Sequence, residues 1–152
     1  MKGWFFGLGT DEATIISVLT KRSNGHRQEV RKKFQALYNK DLIQELRSKT
    51  SGNFRECIVA LMEPNALYDA KTLHSAISEA GTNEQCFIEI LCTRTNKEIA
   101  AIKEAYKNQF SRELENDVTG SFKKLFVSMI QVSRGLCVIC MTISCFYYAT
   151  NH

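Results

Sequence analysis

A chain of 152 residues with a single proline, eight glycines and about a quarter of its side chains charged is long enough for one ordinary core, and this composition excludes collagen-like, low-complexity and largely disordered chains. The net charge of +4 favours an acidic partner surface but does not choose between lipid and nucleic acid. The six cysteines (Cys57, Cys86, Cys92, Cys137, Cys140 and Cys145) form no paired CxxC zinc arrangement. With no signal peptide at the N-terminus, a reducing cytoplasm is the expected compartment.

In chain order, the first predicted helix follows Gly9-Thr10, with Thr10 as its cap and Asp11 and Glu12 at the positive end of its dipole. Its apolar stripe is Ile15, Val18 and Leu19, at helical spacing. Val30, Phe34 and Tyr38 form a second stripe. Helices are expected from Asp41 and from Ser51, the latter ending before Pro64 and carrying Phe54, Cys57, Ile58 and Leu61 on one face. On such faces Cys57 and Cys92 are expected to be small buried hydrophobes. Asn65 to Ala80 is predicted helical, and Thr95 with Glu98 makes a capping box for a helix running to about Gln109.

These elements recur. Gly9-Thr10-Asp11-Glu12 returns as Gly81-Thr82-Asn83-Glu84, Arg22-Ser23-Asn24 as Arg94-Thr95-Asn96, and Asp41-Leu42 as Glu113-Leu114, all at an offset of 72 residues. Gly52-Asn53-Phe54 returns as Gly120-Ser121-Phe122 at an offset of 68, so the second copy has lost four residues between Leu114 and Gly120. The stripes return too. Ile15, Val18 and Leu19 answer to Phe87, Ile90 and Leu91; Val30, Phe34 and Tyr38 answer to Ile102, Tyr106 and Phe110. Phe54, Cys57, Ile58 and Leu61 answer to Phe122, Leu125, Phe126 and Met129. The expected fold is all-α: two tandem repeats of short helices, over residues 1–62 and 65–131, with a divergent apolar tail at 132–152. The first repeat lacks a counterpart of the helix predicted at 65–80.

The turn Phe5-Phe6-Gly7-Leu8-Gly9-Thr10-Asp11-Glu12, its second copy Ile77-Ser78-Glu79-Ala80-Gly81-Thr82-Asn83-Glu84, and the stretches TKRSNGHRQEV, KDLIQELRSKTSGNF, IVALMEP and IEILCTRTNKEIAAIKEAY resemble the annexin repeat over about residues 5–131. Members of that family normally carry four repeats, so the chain resembles half of one. The resemblance implies cytoplasmic, non-enzymatic, calcium-dependent binding to acidic phospholipid membranes, reversible and here weakened. Calcium takes six to eight oxygen ligands, and glycines let a tight turn aim successive carbonyls at one ion.

By resemblance, the carbonyls of Phe5, Gly7 and Gly9 supply the primary site of the first copy, and the Thr10 carbonyl with the Glu12 carboxylate a secondary one. Glu12 also reads simply as a favourable charge in a first helical turn. The distant carboxylate that closes the site falls at Lys49, a cation that repels calcium; Glu45, one turn earlier, is the available substitute. In the second copy Gly81 and Asp117 are retained as metal-site residues, but Glu79 stands where the first glycine belongs and Ser78 replaces the usual lysine. Trp4, Phe5 and Phe6 precede the first loop and are candidates for insertion at a lipid interface, or for packing on a neighbouring helix.

Three other functional classes compete with this reading. His26, His74 and His152 are scattered with no nucleophile at a motif spacing, which argues against an enzyme. Lys21, Arg22, Arg27, Arg31, Lys32 and Lys33 cluster as a nucleic-acid surface would, but the stretch has the pattern of a solvated face, and no nucleic acid is expected. A degenerate or truncated interaction module without calcium-dependent binding is the principal alternative, and exposed apolar faces would favour self-association. The apolar run from Leu136 to Ala149 is too short for a confident membrane span.

Overall fold

The structure, a computed structural model, describes residues 11–78, 83–119 and 123–131. The chain is all-α, with no strand among the described residues. Contacts divide it between Asn65 and Ala66 into two compact units.

The first unit contains α1 (Glu12–Thr20), α2 (Asn24–Tyr38), α3 (Leu42–Lys49) and α4 (Gly52–Met62). Its core joins Leu19 of α1, Leu42, Ile43 and Leu46 of α3, and Ile58, Val59 and Met62 of α4. Asp11, not Thr10, is the N-cap of α1: its carboxylate accepts from the Thr14 amide at 3.0 Å and from the Thr14 hydroxyl. That second donor, and a charge suited to the helix start, favour Asp11 as the cap. Ser23 and Asp41 cap α2 and α3 through their side chains. Asp41 also takes both nitrogens of a fork from Arg31, at 3.2 and 2.6 Å, which holds its carboxyl below the usual range.

The basic cluster expected on α2 is broken up by this packing. Arg31 is paired with Asp41, and Arg27 is buried. The Arg27 guanidinium donates to the carbonyls of Leu19, Arg22 and Leu61, so a cation sits on the C-terminal ends of both α1 and α4. Asn24 and Gln28 bind the next carbonyls, Glu63 and Met62, at 2.7 and 2.8 Å. Only the exposed remainder (Lys21, Arg22, Lys32 and Lys33) is a solvated face.

Cys57 is exposed, contrary to the expectation of burial. The inward face of α4 is Ile58, Val59 and Met62, rotated about one residue, or roughly 100°, from the predicted stripe. Phe54 and Leu61 lie half-buried at its edge. Cys92 is half-buried and packs against the core of the second unit.

The second unit contains α5 (Asn65–Ser78), α6 (Glu84–Thr93), α7 (Asn96–Phe110), α8 (Leu114–Asp117) and α9 (Lys123–Gln131). Asn83 caps α6 as Asp11 caps α1, and Thr95 and Glu98 form the expected capping box on α7. α2 and α7 both end on a left-handed residue, Asn39 at φ 52° and Ser111 at φ 56°, again 72 positions apart. The four-residue deletion is visible as a shortening: α3 has eight residues and its counterpart α8 has four, about one turn less.

The two units differ most over α2 and α7. In the second unit α5 contributes Ala70, Leu73 and Ala76 to one core with Ile102 and Tyr106, all almost fully buried. His74 stacks on Phe110 with ring centroids 3.9 Å apart. In the first unit Val30 and Phe34 are only half-buried, and Tyr38 is 57% exposed.

Candidate calcium-binding region

In each copy three pieces bear on the candidate site: the turn before the first helix, the first turn of that helix, and the residue that ends the third. The turns fall largely outside the described residues. Trp4, Phe5, Phe6, Gly7, Gly9 and Thr10 of the first copy, and Glu79 and Gly81 of the second, therefore lie beyond what the structure describes. What it does describe is how the second turn is held. The Asn83 amide donates to the Ala76 carbonyl at 2.8 Å, tying the start of α6 to the last turns of α5 on either side of residues 79–82.

Glu12 lies exposed in the first turn of α1. Its neighbour Asp11 is committed to the helix cap. The carboxylate of Asp11 is held below its ordinary range by hydrogen bonds from the Thr14 side chain and amide. Of the two acids in this turn, Glu12 is therefore the one whose oxygens face solvent.

The closing positions are equivalent in three dimensions as well as by alignment. Lys49 is the last residue of α3 and Asp117 the last of α8. The turn after Lys49 is fixed by Thr50, whose buried hydroxyl donates to the Leu46 carbonyl at 2.7 Å, and by Arg55, which donates to the Thr50 carbonyl at 2.7 Å. Gly52 enters α4 at φ 56°, where a side chain would be strained, so glycine is required at that corner. Lys49 itself is exposed at the negative end of the α3 dipole, a favourable place for a cation. Glu45, the substitute carboxylate, is half-buried and 3.2 Å from the Lys40 ammonium.

Asp117 keeps a carboxylate at the closing position but shares it. One oxygen accepts from the Tyr106 hydroxyl at 2.9 Å, and the other lies 3.7 Å from the Arg112 guanidinium. Burial, and then the adjacent carboxylate, push the Tyr106 phenol well above its ordinary range, so it stays a neutral donor. The acids beside Asp117 are also paired, Glu113 with Lys107 at 2.6 Å and Glu115 with Lys103. Neither Tyr106 nor Arg112 stood out as part of the site in the sequence. Tyr106 is eleven residues from Asp117 and reads as core, and only the close packing of α7 on α8 brings them together.

The described donors are hard oxygens of the kind calcium takes, namely the carboxylates of Glu12 and Asp117. They do not make a shell by themselves. Among the described residues no group of three histidines, cysteines or acids is placed to hold a metal. Backbone carbonyls of the turns are needed to complete one.

The family profile described as Annexin matches residues 4–61 and 68–130, one segment for each unit. The chain belongs to the annexin family. It is 48% identical over 132 residues to annexin A13 of Canis lupus familiaris, an alignment covering 84% of this chain and 42% of that protein. It is also 48% identical over 132 residues to annexin A7 of Homo sapiens, covering 84% of this chain and 27% of the relative. Among solved structures, a point mutant of annexin A8 with an intact N-terminus superposes with a TM-score of 0.76 at 44% identity, over 85% of this chain and 42% of that one. A calcium-bound annexin, annexin (Sm)1, superposes with a TM-score of 0.78 at 32% identity, over 91% and 44%. The chain thus spans less than half the length of these relatives.

Proposed function

We propose that this annexin-family chain binds calcium and, through it, acidic phospholipid surfaces, more weakly than a chain with complete sites. The reading rests on one arrangement. In both units an annexin-type turn runs directly into a capped helix, with an acid at Glu12 or Glu84 in the first turn, while a second element ends at Lys49 or Asp117. Calcium bound there would bridge protein oxygens and lipid phosphate. The Phe5, Gly7, Gly9 and Thr10 carbonyls and the Glu12 carboxylate serve the first copy, and Gly81 and Asp117 the second. The weakening has two physical sources: a cation at the first closing position, and a shared carboxylate at the second. Attachment through several weak sites depends on their number, so two impaired loops give a low apparent affinity.

The test is co-sedimentation with phosphatidylserine vesicles in calcium and in chelator. The chain is expected to pellet with calcium and stay in solution without it; equal pelleting in both would overturn the calcium mechanism. Trp4 is the single tryptophan, so the same samples report on Trp4, Phe5 and Phe6 as membrane contacts. A blue shift of tryptophan emission on vesicles is expected only with calcium.

Asp117 has its own test. Removing the positive charge beside it, by Arg112→Ala, is expected to raise the calcium affinity of the second loop about two- to fivefold, the range that an exposed charge interaction supports. Calcium titration by calorimetry checks this, and an unchanged affinity would remove Asp117 from the ligand set.

The competing reading, a helical interaction module without calcium-dependent binding, draws on the same two observations at Lys49 and Asp117. Binding at low salt that ignores calcium would favour it. We place the protein in the cytoplasm, in reversible contact with membranes, with no enzymatic activity.

A further inference from the structure

The duplication allows each unit to be compared with the other, and the comparison exposes an incomplete surface on the first. In the second unit α5 is fastened to its neighbours at two points. Asp69 is buried and receives a two-pronged bond from Arg94, at 2.6 and 3.0 Å, and the α5 seam then covers Ile102 and Tyr106, with His74 stacked on Phe110. Desolvation of an ion pair of this kind is tolerated because both prongs of the fork are satisfied. Arg94 is held above its ordinary range chiefly by this bond.

The equivalent of Arg94 in the first unit is Arg22. It is exposed, and its guanidinium bonds only to the Val18 carbonyl of its own helix, with no carboxylate among the described residues. The equivalent of Phe110 is Tyr38, 57% exposed, and next to it Leu37 is 76% exposed where the second unit carries Gln109. A positive group at one end and an apolar edge at the other match what α5 presents, an acid at Asp69 followed by Leu73, His74 and Ile77.

We propose that this face of the first unit, from Arg22 to Leu37 and Tyr38, docks a separate amphipathic helix of α5 chemistry, with an aspartate seated on Arg22 and an apolar or aromatic seam over Tyr38. The occupant is a helix from another polypeptide and not the α5 of a second copy. In each copy that seam is already buried at Ala70 and Leu73, both 0% exposed, so lending it would unpack the second unit. The proposal concerns recognition of a protein segment and is independent of calcium and lipid.

The experiment uses the full chain and a labelled synthetic peptide of residues 65–78, followed by fluorescence anisotropy. Saturable binding is expected. Arg22→Gln in the protein and Asp69→Asn in the peptide should each weaken it about fivefold or more, and the two together no further than either alone, the signature of a direct pair. Tyr38→Glu should abolish it. Arg22 and Tyr38 are exposed, so circular dichroism is expected to show both variants folded. Four results would overturn the proposal. These are no binding up to millimolar protein, binding indifferent to Arg22→Gln, binding lost with Arg94→Gln instead (exchange into the second unit), or a dimer in sedimentation that the peptide fails to dissociate.

Discussion

Phe87→Ala is expected to destabilise the second unit by about 3–5 kcal/mol, the cost of emptying an aromatic site in a packed core. Phe87 is 0% exposed, and its ring stacks on Phe126 of α9 with centroids 4.9 Å apart. Losing it removes both the transfer term and a contact that fastens α9 to α6. Its counterpart in the first unit, Ile15, is half-buried at the edge of a smaller core. Ile15→Ala should therefore cost less than half as much. Urea unfolding followed by circular dichroism measures the difference. Equal losses would show that the two cores are equally dependent on this position, contrary to their burial.

Lys49→Glu is expected to strengthen calcium binding at the first loop on the order of tenfold, because a hard oxygen ligand replaces a repelling cation at the closing position. Lys49→Gln separates the two contributions. It removes the positive charge without supplying a carboxylate, and should gain distinctly less. A small loss of helix stability accompanies either change, since a cation near the C-terminal end of α3 contributes about 0.3–1 kcal/mol. Calcium titration of the three proteins decides. No gain with glutamate would mean that position 49 does not face the ion, and the first loop would have to be rebuilt around Glu45.

Much of this architecture was legible in the chain. The 72-residue offset located helix starts in both copies, and the Thr95–Glu98 box was found because capping is a local bond among neighbouring residues. The deletion between Leu114 and Gly120 forecast a shortened element, and α8 is that element. Local pattern was less reliable where two faces compete. The stripe through Cys57 is valid helical spacing, yet α4 turned Val59 and Met62 inward, because the core it meets includes α3. Thr10 and Asp11 were both capable caps, and a second bond from Thr14 favoured the acid.

The candidate site divided along the same line. Which residues occupy the closing positions, Lys49 and Asp117, follows from alignment of the copies alone. What those residues are doing does not. That Asp117 is held by Tyr106 and flanked by Arg112, and that Glu45 is taken by Lys40, depends on how α7 meets α8 and how the turn between α2 and α3 folds back.

The sequence by itself thus determined the helical class, the duplication, the family and the chemical identity of each candidate ligand, since all of these are written in local spacing and residue type. Tertiary structure alone decided which cations are spent on helix ends, as Arg27 is, and which carboxylates are shared. It also decided that the same stripe is buried under α5 in one unit and half-open in the other. Those outcomes depend on which neighbour arrives at a surface, and neither periodicity nor propensity carries that information.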